Sequence, residues 1–336
     1  MPYSMKRLLY LDIIRLIACL MVIVMHAPMP GVAAETHGAF LVQSSYLTAP
    51  CVPLFFMVSG ALLLPCKEGG GAGKYLKNRI GKIIGPALFF SFFYIALSGN
   101  WWWVWSIPFS AQGHGVLWFV YTLAGLYLLI PIISPWLRSA SKGEVELYLG
   151  GWFVTLLYPY LCKVFFINTD VTGVLYYFTG YAGYFLFGYY LKNYSISLKW
   201  LITLALAMLP LPMFNKVLGW NLDFYSAFWY LSTPVAMMSA AWFCVMKHLF
   251  DRASVYKFWA QISNLSFGIY LLHIFVMRTL LWNWRVIQNI NNYYLQTVVV
   301  VILTFIGSLA ISYGIAKLPL AQYISVTALS LIKKEK

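Results

Sequence analysis

The sequence contains few charged residues. Asp, Glu, Lys and Arg together make up 10% of its 336 residues, whereas roughly a quarter of an average soluble chain is charged. Hydrophobic residues account for 62% of the chain, and the mean hydropathy is +0.76. A globular fold cannot bury that much apolar surface, because it must present polar surface to water. The composition therefore excludes a soluble enzyme, a disordered chain and a coiled coil, and it predicts a polytopic membrane protein.

Long polar stretches are also absent, so we expect a single membrane domain over residues 1–336. A helical crossing needs about 20 mostly apolar residues, and the apolar segments lack the alternation that is typical of barrel strands. They predict an all-α membrane protein with about ten transmembrane helices. The predicted segments are 8–27, 46–65, 82–99, 116–137, 145–166, 173–191, 199–218, 224–247, 258–281 and 296–318.

Acidic residues are scarce: nine stand against 23 Lys and Arg, which gives a formal net charge of +14. With the N-terminus placed inside, all basic residues except Lys163, Lys216, Arg278 and Arg285 fall inside or near inner helix ends. This bias predicts that both termini are cytoplasmic. Because topology and contact with anionic membrane lipid account for most of the charge, we expect no nucleic-acid partner.

The five cysteines form no C-x-x-C pair and no cluster flanked by histidine. A disulfide framework or a zinc site would require such spacings. The sequence therefore indicates neither, and we expect no metal and no redox chemistry.

The first predicted helix contains three ionisable residues, Asp12, Arg15 and His26. A charge within a span costs about 2.5–3.5 kcal/mol on insertion scales. Arg15 and His26 are eleven residues apart, which in a helix is about three turns plus 20° and about 16–17 Å along the axis. One face thus carries a cation near the inner side and an imidazole near the outer side, which favours function. The alternative is that Arg15 snorkels or pairs with Asp12, while His26 merely ends the helix before Pro28.

The same charges bear on whether this helix is a cleaved leader. Lys6 and Arg7 precede an apolar run, as they do in a signal peptide. However, Asp12 and Arg15 interrupt the run, and it is long enough to span a membrane. We interpret it as a retained first helix.

Three further segments place polar or aromatic groups at membrane depth. Residues 52–60 end in Ser59-Gly60, where small residues permit close helix approach. Leu117-Trp118-Phe119 begins the fourth predicted helix, and residues 266–273 end in His273. Each segment taken singly is more typical of packing than of chemistry.

Taken in order, these segments resemble acyltransferase family 3, the bacterial membrane O-acyltransferases that modify envelope and surface sugars. The resemblance covers essentially the whole chain. It rests on Asp12 and the R-x10-H pair Arg15 and His26, then on the Phe-Phe-x-x-Ser-Gly, Leu-Trp-Phe and Ser-Phe-Gly-Ile-Tyr-Leu-x-His runs. One departure is Val116, at a position where the family often has histidine; we assign no role to the nearby His114.

The resemblance implies transfer of an acyl group, most often acetyl, from cytoplasmic acyl-CoA to a glycan hydroxyl outside. Acetyl-CoA would be a donor substrate rather than a resident cofactor, and the location would be the bacterial cytoplasmic membrane. His26 is then predicted to be the general base, because histidine titrates near neutral pH. Arg15 is predicted to orient the donor.

Other residues are predicted to bind the two substrates. Arg79 and Lys82 share a helical face and would hold the CoA phosphates, although charges that merely set topology explain them almost as well. Ser59 lies level with Arg15 and would line the donor path or pack helices; it is about 20 Å too shallow to be a nucleophile served by His26. His273 and Trp118 would contact the acceptor, and an interhelical hydrogen bond is an equal alternative for His273.

Three rival functions share parts of this pattern. An exporter or flippase for a polar lipid or sugar would have the same spans and intramembrane charges, but it does not need Arg15 and His26 in register. A hydrolase would use Ser59, and a scaffold subunit would need none of these residues. The acceptor glycan, the choice between acetyl and succinyl, and the oligomeric state are left open by the sequence.

Overall fold

The computed structural model describes residues 7–29, 37–66, 71–109, 117–167, 178–254, 257–318 and 321, and within 71–81 the side chains of 73 and 75 only. Every regular element in these ranges is a helix. The α-helices are α1 (Leu9–His26), α2 (Gly38–Thr48), α3 (Cys51–Leu63), α4 (Gly71–Ser98), α5 (Trp118–Ser139), α6 (Lys142–Phe165), α7 (Ala182–Asn193), α8 (Leu198–Met208), α9 (Leu211–Val217), α10 (Phe224–Ala227), α11 (Thr233–Phe250), α12 (Lys257–Ile274), α13 (Arg285–Gln288) and α14 (Tyr293–Ala316). A 3-10 helix (Trp101–Ser106) follows α4, and a π-helix (Phe275–Leu281) continues α12.

The predicted all-helical class is confirmed for these residues, and helices lie at all ten predicted segments. Among the residues that the structure describes, six stretches are long and apolar enough to cross a membrane. The number of crossings, ten, and the cytoplasmic placement of the termini remain predictions. The six stretches are Leu9–His26, Gly38–Leu63, Trp118–Ser139, Leu198–Val217, Lys257–Leu281 and Tyr293–Ala316.

The chain forms two compact units. The first unit comprises Met1–Leu64 and Trp136–Trp259, and the second comprises Pro65–Pro135 and Ala260–Lys336. Helices α1, α3, α7 and α11 pack together in the first unit. In the second, α14 packs against the π-helix.

Helices α3 and α7 of the first unit approach each other at two glycines. A methyl group on Gly60 would overlap the backbone carbonyl of Phe185, and one on Gly188 would overlap the backbone of Met57. Each helix therefore needs a residue without a side chain where it meets the backbone of the other. The predicted close approach at the Ser59-Gly60 pair is confirmed for Gly60.

Two lysines of the first unit bind the carboxyl ends of helices. The Nζ of Lys192 on α7 donates to the carbonyl oxygen of Ala61 at 2.7 Å. The Nζ of Lys247 on α11 donates to the carbonyl oxygens of Leu191 and Lys192, both at 2.8 Å. A cation satisfies terminal carbonyls and the negative end of the helix dipole. These two basic residues therefore stabilise the unit as well as contributing to the charge bias.

In the second unit, α14 and α12 also meet at small residues. A methyl group on Gly268 would lie 2.7 Å from the Ser312 Oγ, and one on Gly307 would lie 3.1 Å from a methyl carbon of Val276. The Tyr94 hydroxyl on α4 donates to the carbonyl oxygen of Leu271 at 2.7 Å. This bond fixes α4 to the turn of α12 that carries His273.

Candidate functional site

Arg15 and His26 lie on the same uninterrupted helix, α1, so the helical register predicted for them holds in the structure. Both side chains are half-buried. Cys19 and Val22, which occupy the same face between them, are 1% and 4% exposed. Helix α1 packs against α3 and α11. The face that joins Arg15 to His26 is therefore covered by protein rather than by lipid.

The amino end of α1 carries a cluster of three charges, Arg7, Asp12 and Arg15. Asp12 is 3% exposed. Its Oδ2 accepts a hydrogen bond from the Nε of Arg7 at 2.6 Å, and its Oδ1 accepts one from the Nη2 of Arg7 at 3.0 Å. Arg15 is farther from the carboxylate: its Nη1 lies 3.9 Å from the Oδ1 of Asp12.

This arrangement refines the predicted alternative in which Arg15 merely pairs with Asp12. Arg7 makes the two-point, charge-assisted contact, which is the stronger geometry for an arginine and a carboxylate. Arg15 is a more distant ion-pair neighbour, and the three side chains together carry a formal charge of +1. Sequence reasoning misses the contribution of Arg7, because Arg7 precedes the predicted span and topology accounts for its charge.

The carboxyl end of α1, which carries His26, is held by two tyrosines. The Tyr230 hydroxyl donates to the sulfur of Met25, the residue before His26, at 3.3 Å. The Tyr184 hydroxyl on α7 in turn donates to the backbone carbonyl of Tyr230 at 2.5 Å. Both tyrosines are buried. Sequence reasoning missed them, because nothing in their spacing links them to His26.

Ser59 is the third predicted site residue in the first unit. It is half-buried on α3, the helix that packs against α1. The next residue, Gly60, makes the backbone contact with α7. The structure thus places Ser59 in the same unit as Arg15 and His26, at a position shaped by helix packing.

In the second unit, the structure brings the predicted acceptor residues Trp118 and His273 into one chain of rings. The Trp118 and Phe119 centroids are 6.4 Å apart, those of Phe119 and Tyr270 are 5.2 Å apart, and those of Tyr270 and His273 are 5.5 Å apart. The first two pairs meet edge to face, an arrangement that aromatic rings prefer. The Leu-Trp-Phe segment and the histidine segment therefore form one cluster.

His273 itself is 1% exposed. Its Nδ1 forms a hydrogen bond with the backbone carbonyl of Tyr270. Because a carbonyl only accepts, Nδ1 carries the proton, and a neutral ring would leave Nε2 as an acceptor. The π-helix begins two residues later at Phe275, and short π-helical stretches are frequent at functional sites.

The two predicted CoA-phosphate residues lie on α4 of the second unit. Lys82 is exposed, as a residue that meets a soluble anion must be. The side chain of Arg79 lies outside the described residues, so the predicted Arg79–Lys82 pair stays a prediction.

The fold and this site together define a class of protein: a multi-pass helical membrane protein with an arginine and a histidine aligned on a protein-facing side of its first helix. The sequence model of the acyltransferase domain matches residues 8–317. The chain therefore belongs to acyltransferase family 3, which confirms the resemblance and supports a membrane O-acyltransferase activity. No curated protein and no solved structure matches the chain significantly.

Proposed function

We propose that the protein transfers an acyl group, acetyl in the first instance, from cytoplasmic acyl-CoA to a hydroxyl of an extracytoplasmic or lipid-linked glycan. We place it in the bacterial cytoplasmic membrane. Family membership supports acyl transfer. The observation that carries the proposal is that Arg15 and His26 share one face of an unbroken helix and that this face packs against protein.

The two ends of α1 suit the two substrates. CoA carries phosphates, and the Arg7–Asp12–Arg15 cluster has a net positive charge with which to orient an anionic donor. A separation of about 16–17 Å between Arg15 and His26 gives room for the long arm that ends in the thioester. Since Cys19 and Val22 are buried between them, the arm must pass beside these residues rather than over them.

The chemical step needs one base. The acceptor hydroxyl gives its proton to an imidazole nitrogen of His26 while its oxygen attacks the thioester carbonyl. The carbon–sulfur bond then breaks, CoA leaves as the thiolate, and the imidazolium returns the proton to the sulfur. No serine acyl-enzyme is required. Ser59, Arg79 and Lys82 are assigned to the donor, and Trp118 and His273 to the acceptor.

The direct test is to incubate the purified protein with radiolabelled acetyl-CoA and envelope glycans. Label is expected on the glycan, His26→Ala should lose transfer while still binding CoA, and Arg15→Lys should weaken CoA binding. Glycan movement without label would instead support the exporter. Loss of turnover in Ser59→Ala, together with labelling of Ser59 by a serine-reactive probe, would contradict the single-step chemistry.

A further inference from the structure

The first unit contains a groove that the proposed transfer reaction does not use. It is a cavity of about 330 Å³ lined by residues of helices α6, α7 and α8. Ile196, which precedes α8, and Met237 of α11 complete the lining. That volume lies at the lower end of the range for small-molecule sites. We call it the α6–α8 groove. No residue of α1 is among those that line it.

The lining of the groove is almost entirely apolar, and polar groups lie at one end of it. At the polar end, the Tyr190 hydroxyl donates to the Oε1 of Glu146 at 2.5 Å, and the Nζ of Lys142 lies 3.3 Å from the same oxygen. Phe153, seven residues or about 10 Å further along α6, lines the apolar end. A site with this gradient fits an amphiphile whose apolar chain is attached to a polar head.

The polar end carries charged side chains of both signs. Glu146 is matched by Lys142 and by the Tyr190 hydroxyl. Lys199, at the start of α8 and one residue before the groove-lining Trp200, adds a second exposed cation. The two lysines offer cations to a phosphate group, and Glu144, also exposed on the first turn of α6, balances the second of them.

The outer wall of the groove faces the lipid side of the unit. The stretch Leu198–Val217 is apolar enough to span a membrane, yet little of it is buried within the protein. Trp200 and Leu204 are 67% and 41% exposed. A tryptophan at the end of a span is typical of the head-group level. Since the groove opens on the side of the protein that membrane acyl chains surround, membrane lipid is the amphiphile that can enter it.

We propose that the α6–α8 groove binds one acyl chain of a glycerophospholipid, with the phosphate at Lys142 and Lys199. The chain lies along Gly150 and Phe153 toward Leu204. The proposal does not depend on the transfer reaction, because it rests on residues that the reaction does not use.

Gly150 offers a way to fill the groove without disturbing the helix. It lines the groove, and a methyl group there would meet no atom within 4 Å. Gly150→Leu therefore places its side chain in the space assigned to the lipid. Gly125→Leu on α5 is the matched control, because Gly125 is also an exposed helical glycine with open space around it.

The experiment places the full-length protein in nanodiscs that contain phosphatidylglycerol with a photoreactive acyl chain, and maps cross-links by mass spectrometry. We expect cross-links concentrated at Phe153 and Leu204. Gly150→Leu should lower them about tenfold, since forcing a side chain into filled space is strongly unfavourable, while Gly125→Leu leaves them unchanged. Thermal unfolding in detergent verifies that both variants are folded. Labelling spread evenly over the apolar helices, or unaffected by Gly150→Leu, overturns the proposal.

The head-group part is tested with a photoreactive diacylglycerol, which has the chains but no phosphate, and with the double variant Lys142→Gln, Lys199→Gln. We expect several-fold weaker cross-linking in either case, because the charge-assisted contacts are lost. Equal labelling by diacylglycerol and by phosphatidylglycerol would refute the phosphate site. Should the double variant not fold, the comparison between the two probes on the unmodified protein decides the matter alone.

Discussion

The two membrane-depth histidines of this protein lie in different surroundings. His273 is 1% exposed, its Nδ1 is held by the carbonyl of Tyr270, and a π-helix follows it. His26 is half-buried at the last residue of α1. A proton acceptor must meet its substrate and change its protonation during the reaction. The difference agrees with the proposal that His26 is the base, and with a role for His273 in shaping or lining a site.

The largest expected effect comes from replacing the two histidines in parallel. His26→Gln should lower the rate of acyl transfer by about 10²–10⁴-fold, the usual contribution of a positioned general base. His273→Gln keeps a hydrogen-bonding side chain and should lower it by less than about tenfold. The measurement is the initial rate with radiolabelled acetyl-CoA and a glycan acceptor. Equal losses of transfer rate in the two variants would contradict the assignment of different roles to His26 and His273.

Much of this comparison could be anticipated from the sequence. The scarcity of charge predicted the membrane class, and the eleven-residue spacing placed Arg15 and His26 on one face of α1. The family followed from four short motifs and is confirmed over residues 8–317. These features depend on local periodicity and on residue identity, which a sequence contains directly.

The surroundings of each histidine could not be anticipated, because they depend on contacts between distant segments. The Tyr230 hydroxyl is 205 positions from Met25 along the chain, and the Tyr94 hydroxyl is 177 from Leu271. The π-helix after His273 has no recognised sequence signature here. The contact between Arg7 and Asp12 is local, but Arg7 lies before the predicted span.

The next effect concerns the charge cluster at the other end of the helix that carries His26. Asp12→Asn should raise the KM for acetyl-CoA about tenfold with a smaller change in kcat, because Arg7 and Arg15 then repel each other without the carboxylate that holds them. A hydrogen bond to a charged group contributes about 1.5–3 kcal/mol. Because Arg7 and Arg15 are each about one third exposed, solvent screens their charges and we expect a smaller effect than this range. Steady-state kinetics at varied acetyl-CoA provide the measurement.

Asp12→Glu serves as the control for this prediction, because it restores the charge and should recover most of the affinity for acetyl-CoA. A fall in kcat alone, with KM unchanged, would mean that Asp12 supports the fold and not the position of Arg15.

A smaller effect is expected from loosening the support of His26. Tyr230→Phe removes the hydroxyl that contacts Met25 and should lower kcat by roughly two- to tenfold, the equivalent of one hydrogen bond, while the KM for acetyl-CoA stays the same. Tyr46→Phe is a matched control in the same unit, since its hydroxyl also donates to a residue far away in the chain, at the backbone carbonyl of Met208. If both variants lose the same activity, the Tyr230 contact has no special relation to His26.

The smallest effect on the reaction is expected from the corresponding support of His273. Tyr94→Phe removes the bond to the Leu271 carbonyl, so the free energy of unfolding should fall by about 1 kcal/mol, while transfer changes by less than about twofold. Thermal unfolding in detergent and the standard transfer assay measure the two quantities on the same preparation. Because Tyr94 touches the turn that carries His273, a rate loss approaching that of His26→Gln would show that the position of His273 controls the chemistry. In that event the buried histidine of the second unit, and not the half-buried one of α1, would have to be considered as the base.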